Sequence, residues 1–342
     1  MKTICIIGAG PSGLFCAYTL IEEYRKINIK DKIKIIVIEK GNPPSNRSCP
    51  GQTDGICRNC KCCSILSGGS GAGLFSDGKL IQDLNVGGHN SSISSLTAEE
   101  KSEYINWITK TLLDHDGKSV LKDKPEINIQ KEYSEKFAGL NLKAKYYGVC
   151  HMGTGNLPHI LNGFIQDLLN NTEITIEYNT NITQITSAQN GYNLYSEENL
   201  ICSCNYLVIA AGKSGASWMK DVLSPLGVQF IETGFYFGLR LQVPRKYLIP
   251  LSKLSFDPKI YRILDNDRKI KMHCFCRRGD VIITNYNNYV VAGGHSPYTE
   301  HNTDQYNREL YGNFNVLMSY PKTEDCKILL DRFKAVSSRT LL

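Results

Sequence analysis

No apolar run in this 342-residue chain approaches eighteen residues, which excludes a membrane-spanning helix. There is no basic block either. The net charge is +6, but the 39 lysines and arginines are scattered. The charge therefore reads as solubility and affinity for phosphorylated ligands, not as a nucleic-acid footprint. The chain has no internal repeat, no heptad pattern and no low-complexity tract, which sets aside solenoids and coiled coils. Its N-terminus, KTICIIGAGPSGLFCAYTL, could pass for a signal peptide, but the cofactor-loop spacing of its glycines and the acidic residues that follow at once argue against that expectation. The expectation is a cytoplasmic protein that engages neither nucleic acid nor membrane. Its thirteen cysteines are then expected to be reduced thiols, redox centres or metal ligands, not a disulfide framework.

What is present is an ordinary globular composition, 42% apolar and 21% charged, long enough for one large α/β domain or two domains. TICIIG (3–8) is a β-rich run, and LFCAYTLIEEYRK shows helical spacing with Leu14, Ala17, Tyr18 and Ile21 on one side. KIKIIVIEKG (32–41) is a second buried strand, completing a β-α-β unit and predicting a parallel sheet. A polar helical stretch over 94–118 has Trp107, Ile108 and Leu112 as its apolar side. LPHILNGFIQDLLNN (157–171) is an amphipathic helix, and ITIEYNTNITQI after it alternates like a strand pair. NLICSCNYLVIAAGKSG (199–215) ends in a strand running into a glycine turn. From 228 onward, short strands separated by turns predict a mostly antiparallel second domain.

Gly8-Ala9-Gly10-Pro11-Ser12-Gly13 fits G-x-G-x-x-G between a strand and a helix. Gly8 permits the tight turn, Gly10 lets the backbone approach a pyrophosphate, and Gly13 lets the helix pack on the strand. The phosphates then meet a helix N-terminus, where free N–H groups favour anions. Glu39 ends the second strand, where an acid binds a ribose hydroxyl pair; a carboxylate there disfavours the 2′-phosphate of NADP. The spacing points to an adenine dinucleotide; the competing reading is a glycine turn that binds nothing.

Residues 48–80 crowd Cys49, Cys57, Cys60, Cys62 and Cys63 ahead of a glycine loop containing Gly68, Gly69, Gly71 and Gly73. The glycines free the backbone to fold over a flat ligand. Cys49, Cys57, Cys60 and Cys63 are candidate ligands for zinc or a 4Fe–4S cluster. A redox-active pair, a local disulfide and idle thiols are the alternatives. Cys274 and Cys276 flank Phe275 and are expected to share one strand face, with His273 on the other.

IIGAGPSGLFCAYTL, VIEKG, SGGSGAGLFSDGKL (67–80), HMGTGNLPHIL (151–161), YLVIAAGKSG, GFYFGLRLQVP (234–244) and HCFCRRGDVI (273–282) together resemble the bacterial FAD-dependent, or NAD(FAD)-utilising, dehydrogenases, which are flavoproteins with two dinucleotide-binding domains. The resemblance implies an α/β fold: a Rossmann-like FAD-binding domain with an inserted, mostly antiparallel β domain. It divides the chain into FAD-binding parts at 1–93 and 146–228, a helical insertion at 94–145 and a substrate-type β domain at 229–342. It implies FAD held by Gly8, Gly10, Pro11, Ser12, Gly13, Glu39, Lys40, Gly71, Ala72, Gly73, Ser76, Asp77, Ala211 and Gly212. Ala211 stands where such proteins usually carry threonine, and Gly155 where this family usually carries aspartate. Lys79 is the candidate for stabilising a reduced flavin anion, His151 for acid–base work and Arg240 for gripping a substrate carboxylate. The implied reaction is hydride transfer between FAD and a small organic substrate or NAD(P)H. A flavin–thiol or flavin–iron–sulfur electron-transfer enzyme is a further alternative. The family's C-terminal return to the FAD domain is not recognisable after residue 300, so a non-catalytic fragment, or one needing a partner chain to complete the FAD site, is the other expectation.

Overall fold

The structure, a computed structural model, describes residues 1–27, 32–51, 57–76, 78–84, 86, 95–115, 120–122, 125–152, 156–231, 235–264, 268–277, 279–286, 289–295 and 311–320. They divide into two compact units, one of 1–75 with 158–230 and one of 76–157 with 231–342. Along the chain, β1 (Lys2–Ile7), α1 (Pro11–Lys26) and β2 (Ile33–Ile38) start the first unit. The second unit then takes β3 (Lys79–Ile81), α2 (Ala98–Leu113), β4 (Val120–Lys122), α3 (Ile127–Ala138), β5 (Lys143–Lys145) and β6 (Val149–His151). The first resumes with α4 (Leu157–Leu169), β7 (Ile174–Glu177), β8 (Gln184–Ala188), β9 (Gly191–Ser196), β10 (Asn199–Cys204), β11 (Tyr206–Ile209) and α5 (Ala216–Leu223). The second ends with β12 (Phe235–Pro244), β13 (Lys259–Ile263), β14 (Lys269–Cys276), β15 (Asp280–Tyr286), β16 (Tyr289–His295) and β17 (Tyr311–Tyr320).

The first unit is the expected α/β arrangement. Its parallel sheet runs β11-β1-β2-β7, with Ile4 to Ile7 of β1 in register with Tyr206 to Ile209 on one side and with Ile35 to Ile38 on the other. Both faces of β1 and β2 are apolar, as a sheet covered on both sides requires. On one face, Cys5, Ile7, Ile36 and Ile38 pack with Ile185, Leu194 and Cys204 of the antiparallel meander β8-β9-β10 and with Ile182 just before it. Toward α1, Gly13 lies against Ile6. Leu14, Ala17 and Ile21 are buried as the spacing predicted, while Tyr18 is half-buried against the Phe164 ring, 5.5 Å between centroids.

The segment read as a strand pair at 174–185 contains two strands that do not pair with each other. β7 extends the parallel sheet beside β2, and β8 joins β9 in the meander. Polar residues separate them, and the Thr180 N–H turns back to the Glu39 carbonyl at 3.0 Å, ending the parallel ladder there.

The second unit is mostly antiparallel. Its main sheet runs β12-β17-β14-β13-β5, with β15–β16 as a separate hairpin and β3-β6-β4 as a small third sheet. α2 has the capping box that its sequence offers: Thr97 accepts from the Glu100 N–H, and Glu100 accepts from the Thr97 N–H.

Candidate functional site

The first unit gathers its glycines where β1 gives way to α1. Gly8 has φ +111°, and a Cβ there would lie 2.3 Å from the Ala210 carbonyl oxygen, so only glycine makes this turn. A Cβ on Gly13 would sit 1.9 Å from the Gly8 oxygen, which fixes helix against strand. Gly10 differs: the nearest atom to its missing Cβ is the Gly71 Cα at 3.7 Å. Its absent side chain leaves space that the protein itself does not fill. α1 starts at Pro11 with no side-chain cap and no acid in its first turn, so its positive end remains open to an anion. Pro11 and Ser12 are exposed there.

Glu39 binds this region together. Its side chain is 6% exposed. Oε2 accepts from the Ala9 N–H at 3.0 Å, and Oε1 accepts from the Gly41 and Gly68 N–H groups, each at 2.9 Å. One carboxylate thus joins the fingerprint loop, the end of β2 and the second glycine loop. A carboxylate has about four acceptor positions, so a place is left on Oε2 for a hydroxyl. Beside it, the Lys40 ammonium donates to the Ser214 carbonyl at 3.5 Å. Ala211 lies over Gly8 and against Gly215, and Gly212 turns at φ +61° with open space where a side chain would be.

Arg47 gave no sequence signal, because its hydrogen bonds to the second glycine loop go to main-chain carbonyls. It is 5% exposed, and its guanidinium donates to the carbonyls of Ser64, Ile65, Gly69 and Gly71 at 2.6–3.1 Å while lying 4.8 Å from the Phe75 ring centroid. It holds the second glycine loop from within. Gly71 through Phe75 form a short 3-10 turn, with Ala72 exposed and nothing within 4 Å of where a Gly73 side chain would start.

Among the described residues, two buried hydroxyls in this region, Ser70 Oγ and Tyr178 Oη, have no hydrogen-bond partner. Ser70 is wholly buried at φ +70°, and its N–H donates to the Ala9 carbonyl at 2.8 Å. The Tyr178 ring abuts Gly69, and burial, reinforced by the Glu39 carboxylate, pushes its phenol up to about 12. Buried hydroxyls ordinarily find partners. Two orphaned donors beside a glycine cradle and an uncapped helix terminus suit a ligand rich in hydroxyl and phosphate oxygens. The donor set fits an adenine dinucleotide.

In the second unit, Lys79 and His151 are cross-strand neighbours on β3 and β6. The Lys79 ammonium donates to the Phe275 carbonyl, and the His151 ring lies 4.9 Å from the Phe256 ring. Asp257, 6% exposed, accepts from Lys259 and from the Phe275 N–H. Its carboxyl lies below the usual range because the Lys259 and Lys79 charges and these hydrogen bonds outweigh its burial, which is the largest single effect. Arg240 points its fork at its own sheet: Nε donates to Asn313 Oδ1 at 2.9 Å, Nη1 to Asn315 Oδ1 at 3.2 Å and Nη2 to the Cys274 carbonyl at 3.1 Å. Ser76 Oγ accepts from the Gly78 N–H at 3.3 Å. Asp77 and Gly155 lie outside the described residues.

The cysteines correct one expectation, that Cys274 and Cys276 share a strand face. Among the described residues, no group of three or more His, Cys, Asp or Glu side chains is arranged to hold a metal ion. Cys60 is exposed, and Cys49, Cys57 and Cys63 are partly buried. Burial pushes the Cys49 thiol up, and the other three add to this only as like charges nearby. Cys62 lies against the Lys40 carbonyl at 3.9 Å. Cys274 and Cys276, expected on one face, differ: Cys274 is exposed at φ +55° and Cys276 is buried. A bulge between His273 and Cys276 breaks the alternation.

No protein-family model matches the chain, and no curated protein does. Solved structures resemble it at low identity. NikD, described as an unusual amino acid oxidase essential for nikkomycin biosynthesis, is 10% identical, with 94% of this chain and 72% of its own covered and a TM-score of 0.43. Glycine oxidase from Geobacillus kaustophilus is 12% identical, with 94% and 84% covered and a TM-score of 0.39. Glycine oxidase from Bacillus cereus ATCC 14579 is 13% identical, with 94% and 85% covered and a TM-score of 0.39. At these scores the likenesses decide nothing about the site, which rests on its own geometry.

Proposed function

We propose that this chain is an FAD-dependent oxidoreductase, transferring a hydride between FAD and a small organic substrate or NAD(P)H. The observation that carries the reading is the cradle in the first unit. Glu39 ties three glycine-bearing loops together, the α1 terminus is uncapped, and the Ser70 and Tyr178 hydroxyls are buried without partners. FAD, when bound, supplies the hydride acceptor that no amino-acid side chain provides. In this reading the α1 N–H groups, Gly10 and Ser12 bind the pyrophosphate, and the remaining acceptor position of Glu39 takes a ribose hydroxyl. Lys40, Gly71, Ala72, Gly73, Ala211 and Gly212 complete the walls.

In the second unit, Lys79 and His151 are the pair suited to hold or move a proton, because β-sheet register sets them side by side. Arg240 is proposed to orient an anionic substrate. To do so its guanidinium must exchange at least one of its present asparagine partners for the substrate's carboxylate.

The test is the absorption spectrum of the full chain, purified without oxygen, before and after adding FAD. Flavin bands that persist through gel filtration, and that bleach when a reduced nicotinamide or an organic donor is added anaerobically, are expected. A colourless protein that does not retain added FAD sinks the reading and leaves a fragment that needs a partner chain. Retained flavin that no hydride donor bleaches sinks only the catalytic part.

A further inference from the structure

The main sheet of the second unit carries its charge on one side. Residues paired across antiparallel strands share a face. The register sets Lys271 beside Tyr261, Tyr261 beside Lys143, and Lys259 beside Lys145. Lys269 and His273 lie two residues to either side of Lys271 on β14 and so point the same way. In the other direction His273 pairs with Asn315, and Asn315 with Arg240. Lys143, Lys145, Lys259, Lys269, Lys271 and Arg240 therefore share one face. None of the five strands contains an aspartate or a glutamate. The opposite face is apolar, with Val243, Ile260, Met272 and Phe314 packed together.

These cations are held to the sheet instead of spreading into water. The Lys269 ammonium lies 4.0 Å from the Tyr261 ring centroid, and the Lys271 ammonium 3.6 Å from the Tyr236 centroid. Lys259 pairs with Asp257, and its side chain is 13% exposed. Among the described residues no carboxylate pairs with Lys269 or Lys271. Burial lowers both of these amines; Lys271 and Lys145 lower Lys269 further against an opposing Tyr236, and Lys259 does the same to Lys271. The Arg240 fork is already taken by Asn313, Asn315 and the Cys274 carbonyl. Tyr236 is 46% exposed, so solvent reaches the face. Like charges set side by side destabilise a sheet, and an anion entering here relieves that repulsion.

We propose that this sheet face binds a compact phosphorylated small molecule, whose phosphate meets the ammonium groups of Lys269 and Lys271. Lys143, Lys145 and Lys259 add to the attracting field. Lysine is a point charge with three donors and suits the multiple charge of a phosphate; a planar carboxylate is better served by an arginine fork, and the one on this face is engaged. A single-stranded nucleic acid fits the face less well. It would need the tyrosine rings open for stacking, and the two ammonium groups already cover them. The site lies wholly in the second unit and does not rest on the cofactor reading.

The experiment labels the lysines of the full chain with a trace of acetic anhydride at constant ionic strength, across a series of inorganic pyrophosphate concentrations, and reads each lysine by mass spectrometry. Labelling of Lys269 and Lys271 is expected to fall with saturation, by about tenfold when pyrophosphate is in about ninefold excess over its dissociation constant. The exposed Lys2 and Lys220 should keep theirs. Lys271→Gln should raise the concentration that half-protects Lys269 by about tenfold, the loss of one charged contact. The wild-type pattern stands even if the variant fails to fold. No flavin is used, so failure of the cofactor reading leaves the result untouched. The proposal is overturned if pyrophosphate leaves Lys269 and Lys271 unprotected, if chloride protects them as well, or if Lys40 beside the glycine cradle is protected in their place. It is also overturned if a single-stranded oligonucleotide protects them at a lower phosphate concentration than pyrophosphate does.

Discussion

Tyr178 and Ser70 each bury a hydroxyl with no hydrogen-bond partner among the described residues. Such a group costs about 1–3 kcal/mol when unpaired and returns that energy when a ligand pairs it. Tyr178→Phe should therefore raise the stability of the ligand-free chain by about 1 kcal/mol and weaken dinucleotide binding about tenfold. Denaturant melts without ligand and an FAD titration check the two signs together; a variant that moves both down has merely lost packing. A second residue-scale test concerns His273. Burial, with Lys259, Lys271 and Arg240 nearby and Asp257 opposing, lowers its pKa from 6.5 to about 4. The imidazole is therefore held neutral in the folded state. Its contribution is fully present above pH 6.5 and is lost as pH falls from there toward about 4, at most about 1.4 kcal/mol per pH unit. His273→Gln should flatten urea-melt stability across that window; an unchanged slope refutes the assignment. Glu39 was legible at this scale because an acid ending the second strand has a defined place in the motif. Its grip on three loops was not, because Gly41 and Gly68 contribute only N–H groups, which every residue but proline carries. Arg47 was illegible for the same reason.

Among the elements, the glycine fingerprint separates into positions that serve the fold and a position, Gly10, proposed to serve a ligand. Gly13→Ala forces a Cβ to 1.9 Å from the Gly8 oxygen, between a helix and a strand that cannot part without unpacking Leu14 and Ala17. A loss of several kcal/mol, about 3 or more, is expected, as for severe overpacking. Gly10→Ala meets nothing closer than 3.7 Å. It should melt within about 1 kcal/mol of the parent and yet lose dinucleotide affinity, because the methyl occupies the space left for the ligand. Thermal melts with FAD-retention assays on both variants decide it; two variants equal in stability would contradict the packing argument. The β-α-β unit could be read from the sequence because its period and its glycines agree. The split of β7 and β8 between sheets could not, since alternation marks a strand without naming its neighbour. The bulge at Cys274 could not either: it requires φ +55° at a residue that gives no sign of it.

For the molecule as a whole, the α/β and antiparallel halves were legible from the change of pattern near 228. An insertion was legible too, but not its extent or its sheet partners, because β3 pairs with β6 and β5 with β13 across long stretches of sequence. The glycine cradle belongs wholly to the first unit, so a ligand there must stabilise that unit by mass action. At a hundredfold excess over its dissociation constant the gain is about 2.7 kcal/mol, growing with the logarithm of concentration. FAD should shift the melt in that logarithmic way. ADP, which carries the adenine, ribose and pyrophosphate that the cradle is proposed to hold, should do so more weakly. NADP should shift it least, because its 2′-phosphate would approach the Glu39 carboxylate, which is buried and cannot swing away without releasing Ala9, Gly41 and Gly68. Melting curves across a concentration series of each ligand make the comparison. Equal shifts from NADP and FAD would mean that the acid does not face the ribose. A melt that none of the three ligands moves would mean that the two orphaned hydroxyls and the open helix end await something other than a dinucleotide.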